Sequence, residues 1–223
     1  MKFVEYADRD ALMLDLADII AGELTSSLEH SERASLCVPG GTTPGPIFDT
    51  LSGVHLAWDR VDILLNDERW VPETSERSNT ALLKRRLITG HAAGAHLVPL
   101  HADVPTPEEG LDGLMPAVEA ALPLDVLVLG MGLDMHTASL FPGADQLELG
   151  LSDAAPTLLA MRAPGAPEPR ITLSAKALKS ALSTHILITG SEKRDVLEEA
   201  RKLQPSEAPI AAFLRDAQVH WAP

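Results

Sequence analysis

The sequence predicts an α/β protein with a largely parallel sheet flanked by helices. Short apolar runs alternate with amphipathic segments along the whole 223-residue chain, which is the pattern of strands joined by crossover helices. The runs are apolar on both faces, as strands covered on both sides must be. Three of the four break directly into glycine, and ligands of open α/β sheets bind beyond the carboxyl ends of strands where such loops meet. The 45% hydrophobic and 22% charged content is that of a globular protein, and one domain spanning residues 1–223 is expected.

From Asp10 onward, Leu12, Leu16, Ile19, Ile20, Leu24 and Leu28 recur at helical spacing, with Asp15, Asp18, Glu23 and Glu29 between them. That is an amphipathic helix. The strand-like runs follow at residues 35–38, 61–65, 125–129 and 185–189. Their ends read Pro39-Gly40-Gly41, Asn66-Asp67-Glu68-Arg69, Gly130-Met131-Gly132 and Gly190, so four distant segments should converge on one crevice. A helix is expected after the Gly40 loop, from Ile47, Phe48 and Leu51, and another from about Ser191. The proline-rich stretches at 105–107 and 164–169 read as loops.

Acidic residues outnumber basic ones 32 to 18, a net charge of −14, which argues against nucleic acid or an anionic membrane as partner. Residues 87–161 contain no Lys or Arg but ten acids. No stretch approaches the ~18 apolar residues of a membrane helix, and the N-terminus lacks a signal-peptide plan. A cytoplasmic protein is expected. Cys37, the single cysteine, sits in an apolar run and reads as a small buried hydrophobe.

Gly40-Gly41-Thr42-Thr43-Pro44, between a strand and a helix, has the makings of a phosphate cradle. Glycines allow close approach of the backbone, and free N–H groups at a helix start favour an anion. A turn with a threonine cap reads equally well from these residues alone. The loop lacks the Gly-Lys-Ser/Thr of a nucleotide P-loop. Gly130-Met131-Gly132 likewise begins a dinucleotide fingerprint but carries Met135 at the sixth position, so no nicotinamide cofactor is expected.

Taken as a set, the segments at 39–44, Asn66-Asp67-Glu68-Arg69-Trp70-Val71-Pro72 with Ser78-Asn79, Gly130-Met131-Gly132-Leu133-Asp134-Met135-His136-Thr137-Ala138-Ser139-Leu140-Phe141-Pro142-Gly143, Arg170-Ile171-Thr172-Leu173 and Gly190-Ser191-Glu192-Lys193 resemble the 6-phosphogluconolactonases. These lie within the larger family that includes glucosamine-6-phosphate isomerase/deaminase. The resemblance covers nearly the whole chain, in order. It implies a mononucleotide-binding-like (Rossmann-like) fold of the NagB/RpiA/CoA-transferase-like kind. It also implies hydrolysis of 6-phosphoglucono-1,5-lactone to 6-phosphogluconate in the oxidative pentose phosphate pathway, with no cofactor and no metal. One departure is Met135, where the family usually has glycine; if that position needs a positive φ, methionine is strained there.

On this resemblance His136 is the general base and Asp134 its orienting partner. Gly40, Gly41, Thr42, Thr43, Arg69, Arg170 and Lys193 are the phosphate-binding candidates, and Asp67 a sugar-binding one. Each has a plainer alternative: an ion pair of Arg69 with Glu68 or Glu73, a solvated Lys193, an Arg170 that caps carbonyls. The other seven histidines are expected to be solvated. The candidate cations Arg69 and Lys193 come from opposite sides of the Lys/Arg-free stretch that carries Asp134 and His136, which predicts phosphate binding separate from hydrolysis. Two rivals remain. The isomerase/deaminase needs an acid relay through a glutamate where this chain has Phe141. A sugar-phosphate sensor needs a DNA-binding head, which neither the chain's opening residues nor its acidity supports.

Overall fold

In the computed structural model, which describes residues Met1–Pro223, strand β1 (Lys2–Glu5) leads into helix α1 (Arg9–His30). Asp8 caps this helix by accepting from the Ala11 N–H. Its apolar stripe, Leu12, Leu16, Ile20 and Leu24, is wholly inaccessible to solvent and packs on one side of the sheet. The four runs read from the sequence are β2 (Ala34–Val38), β3 (Val61–Leu65), β6 (Val126–Gly130) and β9 (Ser183–Thr189). With β5 (His96–Leu97), β10 (Gln218–Ala222) and β1 they form a seven-stranded sheet in the order β1-β10-β9-β6-β2-β3-β5, parallel throughout. From β2 the chain first builds outward through β3 to β5. It then returns to β6, on the other side of β2, and builds the opposite way, so the switch of direction lies between β2 and β6. That is where an open α/β sheet makes its ligand crevice.

A second, three-stranded antiparallel sheet, β4 (Asp67–Arg69), β8 (Arg170–Leu173) and β7 (Leu158–Met161), lies beyond the end of β3. Its register sets Asp67 opposite Thr172 and Arg69 opposite Arg170. The remaining helices are α2 (Gly45–Ser52), α3 (Asn79–Arg86), α4 (Pro107–Ala120), α5 (Leu147–Leu151), α6 (Ala175–Leu178) and α7 (Ser191–Ala200). Pro107 opens α4 and is not part of a loop: Thr106 caps the helix, and proline's fixed φ suits the first helical turn. Cys37 is fully buried, and burial pushes its thiol pKa up.

Two histidines expected in solvent are buried. His185 on β9 and His220 on β10 lie side by side with their ring nitrogens 3.0 Å apart. Tyr6 donates to Asp15 at 2.7 Å, so its oxygen accepts from His220 Nδ1 at 2.8 Å, which leaves His220 Nε2 to accept from His185. At the far end His185 Nε2 meets Glu23 of α1 at 2.9 Å. A second proton on His220 would face another N–H. Burial first, and His185 second, push its pKa down from 6.5 to about 4.

A lowered histidine pKa stabilises the fold fully above the unfolded value, and that stability is lost as pH falls through the folded one. Between pH 6.5 and 4 this group therefore costs the fold roughly 3 kcal/mol. Urea unfolding of the wild type and His220→Gln at pH 7 and pH 4 checks this: the variant loses less stability on acidification. An equally steep decline in both contradicts it.

Candidate active site

The four strand ends meet in one cleft of about 230 Å³, lined by 19 residues of which only four are hydrophobic. A lining so polar suits a hydrophilic ligand. From the end of β2 come Gly40, Gly41, Thr43 and Pro44. Gly41 has φ 85°, a conformation that favours glycine. Gly40 packs so closely under α3 that a Cβ there would lie 2.1 Å from the Asn79 side chain. Thr42 is the exception among the loop candidates: it does not line the cleft, and its carbonyl accepts from the Gly45 N–H at 3.2 Å.

The end of β3 contributes Asn66, Asp67 and Arg69. Between the last two, Glu68 is completely buried and holds the N-terminus of α3. It accepts from the backbone N–H groups of Arg69 (2.8 Å), Asn79 (2.9 Å) and Thr80 (2.7 Å) and from the hydroxyls of Ser78 (3.2 Å) and Thr80 (2.8 Å). A carboxylate is favoured at a helix N-terminus. The sequence held the clue to this role in the Ser78-Asn79 pair that opens the helix. Glu73, the other suggested partner of Arg69, pairs instead with Lys84.

Asp67 accepts from Ser139 Oγ at 2.6 Å and lies 3.4 Å from Arg170. Arg69 donates to the Arg77 carbonyl at 2.7 Å. Because β4 and β8 pair these two arginines directly, like charges are brought together, which is destabilising by itself. The only carboxylate within ion-pair distance of either guanidinium is Asp67, which reaches Arg170. Three buried side-chain polar atoms have no partner, Asn66 Oδ1, Arg69 Nε and Arg170 Nε, and all three belong to residues lining the cleft. Buried polar atoms are normally satisfied, so these three are available to a polar ligand in the cleft.

The loop that follows β6 also lines the cleft. Gly132 N–H donates to the His136 carbonyl and Met135 N–H to the Gly132 carbonyl, both at 3.0 Å, which folds the loop back on itself. Met135 adopts φ 68°, the left-handed conformation anticipated from its replacement of a glycine. Its carbonyl accepts from the Ile210 N–H at 3.1 Å and its side chain packs on the core; both hold it there. His136 lines the cleft. Its Nδ1 is hydrogen-bonded to the carboxylate of Asp134, so Nε2 is the nitrogen left for chemistry. Asp134 sits behind the imidazole, outside the cleft lining. Burial works against its ionisation, but the hydrogen bond and charge of His136 outweigh that and hold it below the usual carboxylate range.

Lys193 projects from the first turn of α7 into the cleft, half-buried, and its ammonium donates to the Met131 carbonyl. Burial pushes its pKa down, opposed by Asp134. Lys193, 57 residues after His136 in the chain, is thus bonded to the loop that carries the histidine. His101, beside Asp103, packs on the Trp70 ring at 4.6 Å and takes no part in the cleft. No group of three or more His, Cys, Asp or Glu side chains is placed to hold a metal ion, and no helix is long and apolar enough to cross a membrane.

Comparison with known proteins gives the family of the chain. Residues 7–221 match the family model described as glucosamine-6-phosphate isomerases/6-phosphogluconolactonase. A 6-phosphogluconolactonase of Rhizobium meliloti is 40% identical over 226 residues, covering 98% of this chain and 97% of its own. The crystal structure of a 6-phosphogluconolactonase from Shewanella baltica superposes with a TM-score of 0.93 at 34% identity, covering 100% and 98% of the two chains. A monomeric glucosamine-6-phosphate deaminase superposes at 0.81 with 16% identity, covering 100% and 97%, which shows a shared fold alone. The chain belongs to the glucosamine-6-phosphate isomerase/6-phosphogluconolactonase family.

Proposed function

We propose that the chain, working as one domain in the cytoplasm, hydrolyses 6-phospho-D-glucono-1,5-lactone to 6-phospho-D-gluconate, a step of the oxidative pentose phosphate pathway. The observation that carries this reading is that one cleft holds both a pair of arginines and a positioned imidazole. Strands β4 and β8 set Arg69 and Arg170 side by side, and the loop after β6 presents an imidazole whose Nδ1 is tied to Asp134. A phosphate belongs with the arginines, Lys193 and the Gly40–Gly41 backbone, since charge-assisted hydrogen bonds to an anion are strong and a guanidinium can grip it bidentately. The lactone carbonyl then lies toward His136, with Asp67 available to accept from a sugar hydroxyl.

His136 Nε2 removes a proton from water as the oxygen attacks C1, giving a tetrahedral oxyanion. Asp134 holds the Nδ1 proton and stabilises the imidazolium that forms. Collapse of the intermediate breaks the bond from C1 to the ring oxygen, which takes the proton from His136 Nε2 and becomes a hydroxyl. The product is the open-chain acid, which ionises in solution. No external reductant or oxidant is involved. The isomerase reading would need a proton-carrying side chain at Phe141, which has none.

Lactone generated in situ from glucose 6-phosphate and a dehydrogenase tests the activity. The purified protein should consume it faster than buffer does, and should leave glucosamine 6-phosphate unchanged. A lactone decay no faster than in buffer, with the sugar phosphate nonetheless bound, would favour a sensor.

A further inference from the structure

We propose that Phe141 is a positioning residue whose ring holds the His136 imidazole at its working angle. This rests on the reading of His136 as the base. The rings lie 4.1 Å apart between centroids, with 26° between their planes. A hydrogen bond from Nδ1 to Asp134 fixes one edge of the imidazole. Rotation about the last side-chain torsion of histidine is soft, however, with broad wells, so one such bond does not fix the plane. A flat aromatic neighbour does, because tilting the imidazole drives it into the ring. On the third side Gly132 must have no side chain, since a Cβ would stand 2.2 Å from His136 Nδ1.

The loop is built to make this stack. Thr137 and Leu140 pair as an isolated bridge, with Leu140 N–H donating to the Thr137 carbonyl at 3.0 Å. Ala138 within the turn takes φ 49°. The reversal returns residue 141 over residue 136. Three anchors hold it: Thr137 Oγ1 to the Gly130 carbonyl at 2.8 Å, Ser139 Oγ to Asp67 at 2.6 Å, and Ser139 N–H to Thr172 Oγ1 at 3.2 Å. Phe141 is itself buried, and the Arg170 guanidinium lies 5.2 Å from its ring centroid. The stack thus links the site residues in one chain of contacts, from Asp134 and His136 through Phe141 to Arg170 and Asp67.

Phe141→Leu should lower kcat by about 10- to 100-fold, the cost of a small misplacement of a reacting group, and leave KM within about twofold. Phe141→Tyr, which keeps the ring, should recover most of that loss. Made in a His136→Ala background, Phe141→Leu should change the residual kcat by less than about twofold, because the ring's effect on kcat passes through the imidazole, whereas its contact with Arg170 bears on binding and so on KM. Thermal unfolding of each variant identifies any that fails to fold, and the Tyr variant and the double-variant comparison then carry the test. Full kcat in Phe141→Leu, an equal loss in Phe141→Tyr, or multiplicative losses in the double variant would overturn the proposal. Those results concern Phe141 alone. The reading of His136 as base fails separately, if His136→Ala is itself fully active.

Discussion

His136→Ala should lower kcat on the lactone by about 10²- to 10⁴-fold, the usual contribution of a placed general base, with KM nearly unchanged. The expectation follows from where the side chain sits. Its Nδ1 is committed to Asp134 and its ring is stacked on Phe141, so the imidazole is held for proton transfer and contributes little to ground-state binding. An interaction used only in the transition state appears in kcat and not in KM. Steady-state kinetics at saturating lactone, corrected for spontaneous hydrolysis, make the check. A kcat within threefold of wild type would remove His136 from the mechanism.

Lys193→Ala should show the opposite division. Its ammonium is half-buried and burial pushes its pKa down, and its place in the first turn of α7 sets it against the positive end of the helix dipole. The cation is costly in the free protein and is compensated when an anion arrives. Losing one charge-assisted bond to phosphate, about 1.5 to 3 kcal/mol, raises KM by about 10- to 150-fold. The kcat should stay within a few-fold. The bond from Lys193 to the Met131 carbonyl sets the discriminating outcome: a fall in kcat with KM intact would mean that the lysine serves the catalytic loop and not the phosphate.

The central strands were legible because β2, β3, β6 and β9 are apolar on both faces, which few other structures require. β10 was not: it carries Gln218 and His220 among apolar residues, and its burial depends on β9 and β1 from far along the chain. The small sheet hid inside the motifs themselves, since Asp67–Arg69 and Arg170–Leu173 read as chemistry before they read as strands. The buried histidines escaped notice for a related reason. His220 finds Tyr6 214 residues away and His185 35 residues away, and no local pattern announces either contact. Met135 shows the reverse case, where one departure from a glycine announced a left-handed residue. Thr42 and Thr43 are adjacent, chemically alike and both exposed, and only the turn geometry decides that Thr43 lines the cleft and Thr42 does not.

A crystal structure with 6-phosphogluconate bound tests the central claim most directly, because it places both ends of the molecule at once. The phosphate should lie among Arg69, Arg170, Lys193 and the Gly40–Gly41 backbone, and the C1 carboxylate within about 3 Å of His136 Nε2, the reach of proton transfer. The reversed pose, with the carboxylate at the arginines and the phosphate at His136, would contradict it.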